Sequence, residues 1–129
     1  MRTYPRRSPI ALLWLLSIAA LPAVVALPAL AHAYLDRALP VAGSTVRESP
    51  HDLTLWFTQR IEPAFSTVRV IDAAGKDIAA GAPQFDSTDG KVMRISLPTL
   101  GSGMYRAKWR VVSVDTHVSE GEFTFDVAR

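Results

Sequence analysis

Met104-Tyr105-Arg106-Ala107-Lys108-Trp109-Arg110-Val111-Val112 is the stretch that decides the fold class. Tyr105, Ala107, Trp109 and Val111 recur at every second position and share one face of an extended strand. Gly101-Ser102-Gly103 supplies a turn before it, and Glu122 to Val127 reads as a further strong strand after it. Upstream, Leu53, Leu55 and Phe57 alternate with Thr54, Trp56 and Thr58, so both faces of that strand carry apolar area. One face suits a core, and the other a partial cover such as a long loop. Thr67 to Ile71 ends at Asp72-Ala73-Ala74-Gly75, and Lys91 to Leu97 follows the turn-forming Asp86-Ser87-Thr88-Asp89-Gly90. Shorter strands are expected near Tyr34 to Ala38 and near Lys76 to Ile78. Ile61 to Phe65 has room for one helical turn, which Pro63 keeps short. About seven short strands without a substantial helix predict an all-β fold, a β-sandwich with Greek-key connections.

The aromatics Trp56, Tyr105, Trp109, Phe123 and Phe125 need only a packing role, and Met93 and Met104 are both expected to fill the core. Arg110 and Glu120 are candidates for a mutual ion pair on the surface.

Residues 1–31 read as a targeting segment. Arg2, Arg6 and Arg7 form a basic start, Ile10 to Leu30 is almost unbroken apolar sequence, and Ala29-Leu30-Ala31 meets the small-x-small rule for cleavage. An apolar run of roughly 20 residues can also serve as a retained anchor, but Pro22, Pro28 and the small residues near its end favour removal. Arg6-Arg7 leaves a twin-arginine route open beside the general one, although Pro9 and Ile10 match such a signal poorly. Ala31-His32-Ala33 meets the cleavage rule as well, and a cut after Ala33 would discard His32. The expected organisation is an export signal over 1–31 and one domain over 32–129, with no stable membrane insertion after cleavage.

Loss of the segment changes the charge argument. The whole chain carries 14 Lys plus Arg against 12 Asp plus Glu, and three of the arginines lie in residues 1–31. The remainder is close to neutral and has no Lys or Arg run interleaved with aromatics, which removes the electrostatic support for nucleic-acid binding. The chain has no cysteine. Disulfides, thiolate metal ligands and cysteine chemistry are therefore excluded, and sheet packing alone must hold the domain together.

Cleavage after Ala31 would give His32 a free amine beside its imidazole, so that one residue offers two nitrogen donors. Asp115 and His117 stand two positions apart where a strong strand ends; if the extended geometry persists through Thr116, both side chains point to one face. Such a pair is either a solvated or hydrogen-bonded turn, or part of a metal site. The His32 amine and ring together with the His117 ring would be a nitrogen-rich set that favours copper(II), with Asp115 or water completing a tetragonal arrangement. His51, after Ser49-Pro50, reads as an exposed turn residue. Three methionines, one of them Met1, make no cluster for copper(I). Ser113, Asp115 and His117 lie too close along one strand to define a nucleophilic triad, and no GxxxxGK[ST] phosphate loop is present.

His32-Ala33-Tyr34-Leu35, Pro40-Val41-Ala42-Gly43, the run Gly103 to His117 and Gly121-Glu122-Phe123-Thr124-Phe125 together resemble the CopC/PcoC family of periplasmic copper-binding proteins. The likeness spans essentially the whole of 32–129. It implies a cupredoxin-like or immunoglobulin-like β-barrel or sandwich and one copper(II) ion per chain. The implied ligands are the His32 amine and ring with His117, an arrangement called a histidine brace, and Asp115 is a weak ligand or a contact behind the ligands. It also implies a monomer that binds copper reversibly in the periplasm without turnover, for sequestration, resistance or delivery to a CopD-type inner-membrane partner. Two departures matter: Thr116 stands where many relatives carry Gly, and the methionine-rich segment of copper(I)-binding members is missing. The competing readings are a histidine-brace copper oxidase or monooxygenase, which copper-dependent oxidation would reveal, and a periplasmic interaction module without metal.

Overall fold

A computed structural model describes residues 32–128; the expected export segment lies outside the described residues. Eight strands form in chain order: β1 Leu35–Leu39, β2 Thr45–Val46, β3 Asp52–Phe57, β4 Thr67–Ile71, β5 Ala80–Phe85, β6 Val92–Ser96, β7 Gly103–Val112 and β8 Val118–Val127. They make two four-stranded sheets, ordered β1-β3-β6-β5 and β2-β8-β7-β4. The architecture is therefore an open sandwich rather than a closed barrel. A short 3₁₀ turn, Pro63–Phe65, is the one turn that Pro63 permits.

The opening stretch folds as its alternation requires. Tyr105, Ala107, Trp109 and Val111 are buried on the inner face of β7, opposite Leu53, Leu55 and Phe57 of β3. Phe57 and Trp109 meet edge to face across the two sheets, with ring centroids 5.3 Å apart, a geometry that suits the ring quadrupoles. Tyr105 stacks on its cross-strand neighbour Phe125 at 5.6 Å. Each such buried side chain contributes on the order of 2 kcal/mol of apolar transfer free energy.

Several expectations need correction. Met93 is fully buried, but Met104 is 51% exposed; with Tyr105 facing inward, the period of two turns Met104 outward. The strand foreseen near Lys76 to Ile78 is only a single bridge between Ile71 and Asp77, and the true strand begins at Ala80. Gly81 and Pro83 disguise β5 in the sequence, and the fold tolerates them because β5 is a sheet edge. The outer face of β3 is covered by arginine side chains instead of a long loop. Arg37 lies 4.1 Å over the Trp56 ring, and Arg94 Nε donates to Thr54 Oγ1 at 3.1 Å. Arg110 and Glu120 face each other in register, while Glu122 takes the ion pairs of this ribbon from Arg106 at 2.8 Å and Lys108 at 3.7 Å. Among the described residues no helix is long and apolar enough to cross a membrane.

Candidate metal centre

β7 and β8 pair without interruption from Gly103 opposite Val127 to Val112 opposite Val118, so their connection, residues 113–117, projects from one end of the sandwich. Three main-chain contacts hold this loop to the segment before the 3₁₀ turn. Glu62 N donates to Val112 O at 2.7 Å, Val114 N donates to Arg60 O at 3.1 Å, and Ile61 bridges Ser113. Inside the loop, Thr116 N donates to Ser113 O at 2.8 Å, and Ser113 N donates to His117 O at 2.9 Å. The chain therefore reverses at once, and Asp115 and His117 meet across a tight turn. This corrects the expectation of a strand extended through Thr116. The reversal places Thr116 at φ 71°, the left-handed region that glycine adopts freely and a β-branched residue does not. The backbone here follows a glycine-like path despite the threonine.

The turn brings Asp115 Oδ1 to 3.3 Å from Nδ1 of His117. The same carboxylate oxygen accepts a short hydrogen bond from the Ser113 hydroxyl. Ser113, and after it His117, hold the Asp115 carboxyl below the usual aspartate range, outweighing the opposite effect of desolvation. An acceptor at Nδ1 favours the proton on that nitrogen and leaves Nε2 as the lone-pair donor of a neutral ring.

The other imidazole arrives from the start of the described chain. Ala33 is fully buried, and Tyr34 is tied to Thr58 twice, N to Oγ1 at 3.0 Å and O from the Thr58 N at 2.9 Å. These contacts carry His32 to the loop end of the sandwich. Its ring lies 4.9 Å from that of His117, centroid to centroid, and 5.9 Å from Tyr34. Sequence reasoning missed Thr58 and the bonding role of Ser113; contacts of the first kind join residues far apart in the chain and leave no local pattern.

His51 stands elsewhere. It precedes β3, whereas Thr58 follows it, so His51 is roughly 20 Å away along a strand that rises about 3.3 Å per residue. Met104 likewise occupies the opposite end of β7 from the loop. Among the described residues no group of three or more His, Cys, Asp or Glu side chains is arranged to hold a metal ion. Two rings and a carboxylate already occupied with one of them are what the side chains bring together.

The CopC domain family pattern matches residues 35–128. The chain belongs to the CopC family. Among CopC-type relatives, copper resistance protein C of Escherichia coli is 33% identical over 111 residues, covering 80% of this chain and 86% of that protein. Protein YobA of Escherichia coli K12 is 33% identical over 98 residues, covering 75% and 79%. The crystal structure of CopC from Methylosinus trichosporium OB3b superposes with a TM-score of 0.71 at 32% identity, covering 75% of this chain and 94% of that one. That of PcoC from Escherichia coli, described as a methionine-rich copper resistance protein, gives 0.66 at 31% identity, covering 75% and 99%. The CopC match includes Asp115 and His117 but begins at Leu35, after His32.

Proposed function

We propose that the chain is a periplasmic copper(II)-binding protein of the copper-resistance type, binding its cargo reversibly and without turnover. The family assignment supports the copper-handling and periplasmic parts of this reading. The finer reading is that cleavage after Ala31 frees the domain 32–129 and gives His32 an amine. That amine, the His32 ring and the His117 ring then hold one copper(II) ion. The observation that carries it is the 4.9 Å approach of the two imidazoles. Neutral nitrogen donors in a roughly planar set suit copper(II), and the absence of thiols leaves little to hold copper(I). Among the described residues no group of three or more His, Cys, Asp or Glu side chains is arranged to hold a metal; a main-chain amine, which processing would provide, suits the third nitrogen position. Asp115 is in contact with Nδ1 of His117. A CopD-type inner-membrane protein is the proposed recipient or source of the ion.

The test is intact mass of the exported protein followed by copper(II) titration and electron paramagnetic resonance of the same species. A terminus at His32, one copper(II) per chain and nitrogen hyperfine structure that changes in His32→Ala and His117→Ala are expected. A terminus at Tyr34 with undiminished binding, or spectra that ignore both substitutions, would overturn the ligand assignment.

A further inference from the structure

The two rings that meet at 4.9 Å are held very unequally. His117 directly precedes β8, whose pairing with β7 runs unbroken over all ten residues of each strand. The loop that carries it is also tied to the neighbouring segment: Glu62 N donates to Val112 O, Val114 N donates to Arg60 O, and Ile61 bridges Ser113. Opening the site from this side would break the ribbon or the segment that braces it.

His32 stands instead at the end of an arm. The pairing of β1 with β3 is regular from Arg37 opposite Trp56 to Leu39 opposite Thr54, but its register shifts between Leu35 and Arg37. A shift of this kind sets one residue, here Asp36, out of the ladder and bends the strand. Beyond it the arm is fastened by Leu35 opposite Phe57, by the buried Ala33 and by two hydrogen bonds between Tyr34 and Thr58. In one of these the Thr58 N–H donates to Tyr34 O at 2.9 Å; in the other Tyr34 N–H donates to the Thr58 hydroxyl oxygen at 3.0 Å. His32, Tyr34 and Thr58 are all exposed, so water competes for both bonds. A chain end fastened by a few solvent-reached bonds opens at a free-energy cost far below that of global unfolding.

We infer that Thr58 is a positioning residue for the His32 donors and the latch of a detachable arm: copper(II) leaves the site when the Tyr34–Thr58 pair parts and the arm swings about Asp36, while the His117 loop stays folded. This deepens the proposed copper site and rests on it. The consequence is that the His32 nitrogens can be withdrawn, and a recipient's ligands can replace them, without disturbing the sandwich.

The test compares the exported protein with its Thr58→Val and Thr58→Ser variants. Valine keeps the branched shape and the main-chain N–H but offers no oxygen to Tyr34 N, and serine restores that oxygen. In the metal-free protein the Tyr34 amide, followed by NMR, is expected to exchange with solvent faster than those of Glu62 and Val114. Its exchange should quicken further in Thr58→Val and not in Thr58→Ser. Copper(II) release to excess ethylenediaminetetraacetate is expected to be roughly two- to tenfold faster in Thr58→Val, the share that one neutral hydrogen bond commonly contributes, and close to native in Thr58→Ser. Melting temperatures should agree within a few degrees, because position 58 is exposed. A Tyr34 amide that exchanges no faster than those of Glu62 and Val114 would overturn the inference, as would equal release rates for the native protein and Thr58→Val. His32→Ala separates this outcome from failure of the copper site. If that variant binds copper as the native protein does, the ligand assignment falls and the latch with it. Loss of tight binding in His32→Ala, together with native release from Thr58→Val, would refute the latch alone.

Discussion

Gly121→Ala is expected to destabilise the β7–β8 ribbon by way of one aromatic ring. Gly121 pairs with Trp109 across the ribbon, and a Cβ at 121 would stand 2.6 Å from Cζ2 of that ring, 3.0 Å from Cε2 and 3.3 Å from Cη2. Ordinary carbon contacts are about 3.5–4.0 Å, so ring or strand must retreat by roughly 1 Å. Trp109 has little room to do so, because it is buried and set edge to face against Phe57 of the other sheet. Overpacking of this kind costs about 1–3 kcal/mol. Alanine returns about 0.4–1 kcal/mol by restricting the unfolded chain, since Gly121 does not occupy the left-handed region. The net loss of about 1–2 kcal/mol corresponds to a melting temperature lower by roughly 4–16 °C for a domain of this size. Thermal unfolding followed by near-ultraviolet circular dichroism measures it, and the tryptophan bands should change in the folded state as well. Trp109→Phe removes the clashing part of the indole, so the penalty of Gly121→Ala should shrink in that background. A Gly121→Ala protein that melts at or above the native temperature, or a penalty as large with phenylalanine at 109, would refute the reasoning.

Thr116→Gly should raise the melting temperature by a few degrees: relief of about 1–2 kcal/mol of left-handed strain exceeds the roughly 0.5–1 kcal/mol of added chain entropy, and calorimetry reads the difference. Met93→Gln should prevent stable folding because it buries an amide in the core, whereas Met104→Gln, on the solvent side of β7, should change stability by less than about 0.5 kcal/mol in a urea titration. The Asp89 and Thr88 amides hold the Asp86 carboxyl below its ordinary value of 3.8. Its folded pKa is thus the lower one, so its contribution is present above the unfolded pKa and is lost as pH falls through the folded one. Asp86→Ala should flatten the acid limb of a stability-against-pH curve, and an unchanged limb would count against that contribution.

The inner faces of β3 and β7 were legible because burial on one side of a strand writes a period of two into the sequence. Met104 shows that composition misleads where the period does not: counted from Tyr105 it belongs outside, and outside is where it lies. β5 was illegible because Gly81 and Pro83 look like turn residues; Gly81 does take a left-handed φ of 80° where the pairing with β6 shifts register between Ala80 and Gln84, and a sheet edge tolerates both residues. The nearness of Asp115 and His117 was readable from their spacing, but the route was not. Hydrogen bonds from Ser113 and the Arg60–Glu62 segment bend the chain there, and such partners leave no mark between positions 115 and 117.

Sequence alone determined that this is a sheet protein without thiols, with three histidines as its only imidazoles. It also carried the family resemblance, through the run that ends at His117. Tertiary structure decided which donors meet. His32 reaches His117 because Tyr34 is hydrogen-bonded to Thr58 at one end of β3, while His51 is left at the other end. The physical reason is one of range. Alternation is a property of neighbours along the chain, whereas the meeting of two imidazoles depends on strand pairing between residues that only folding makes adjacent.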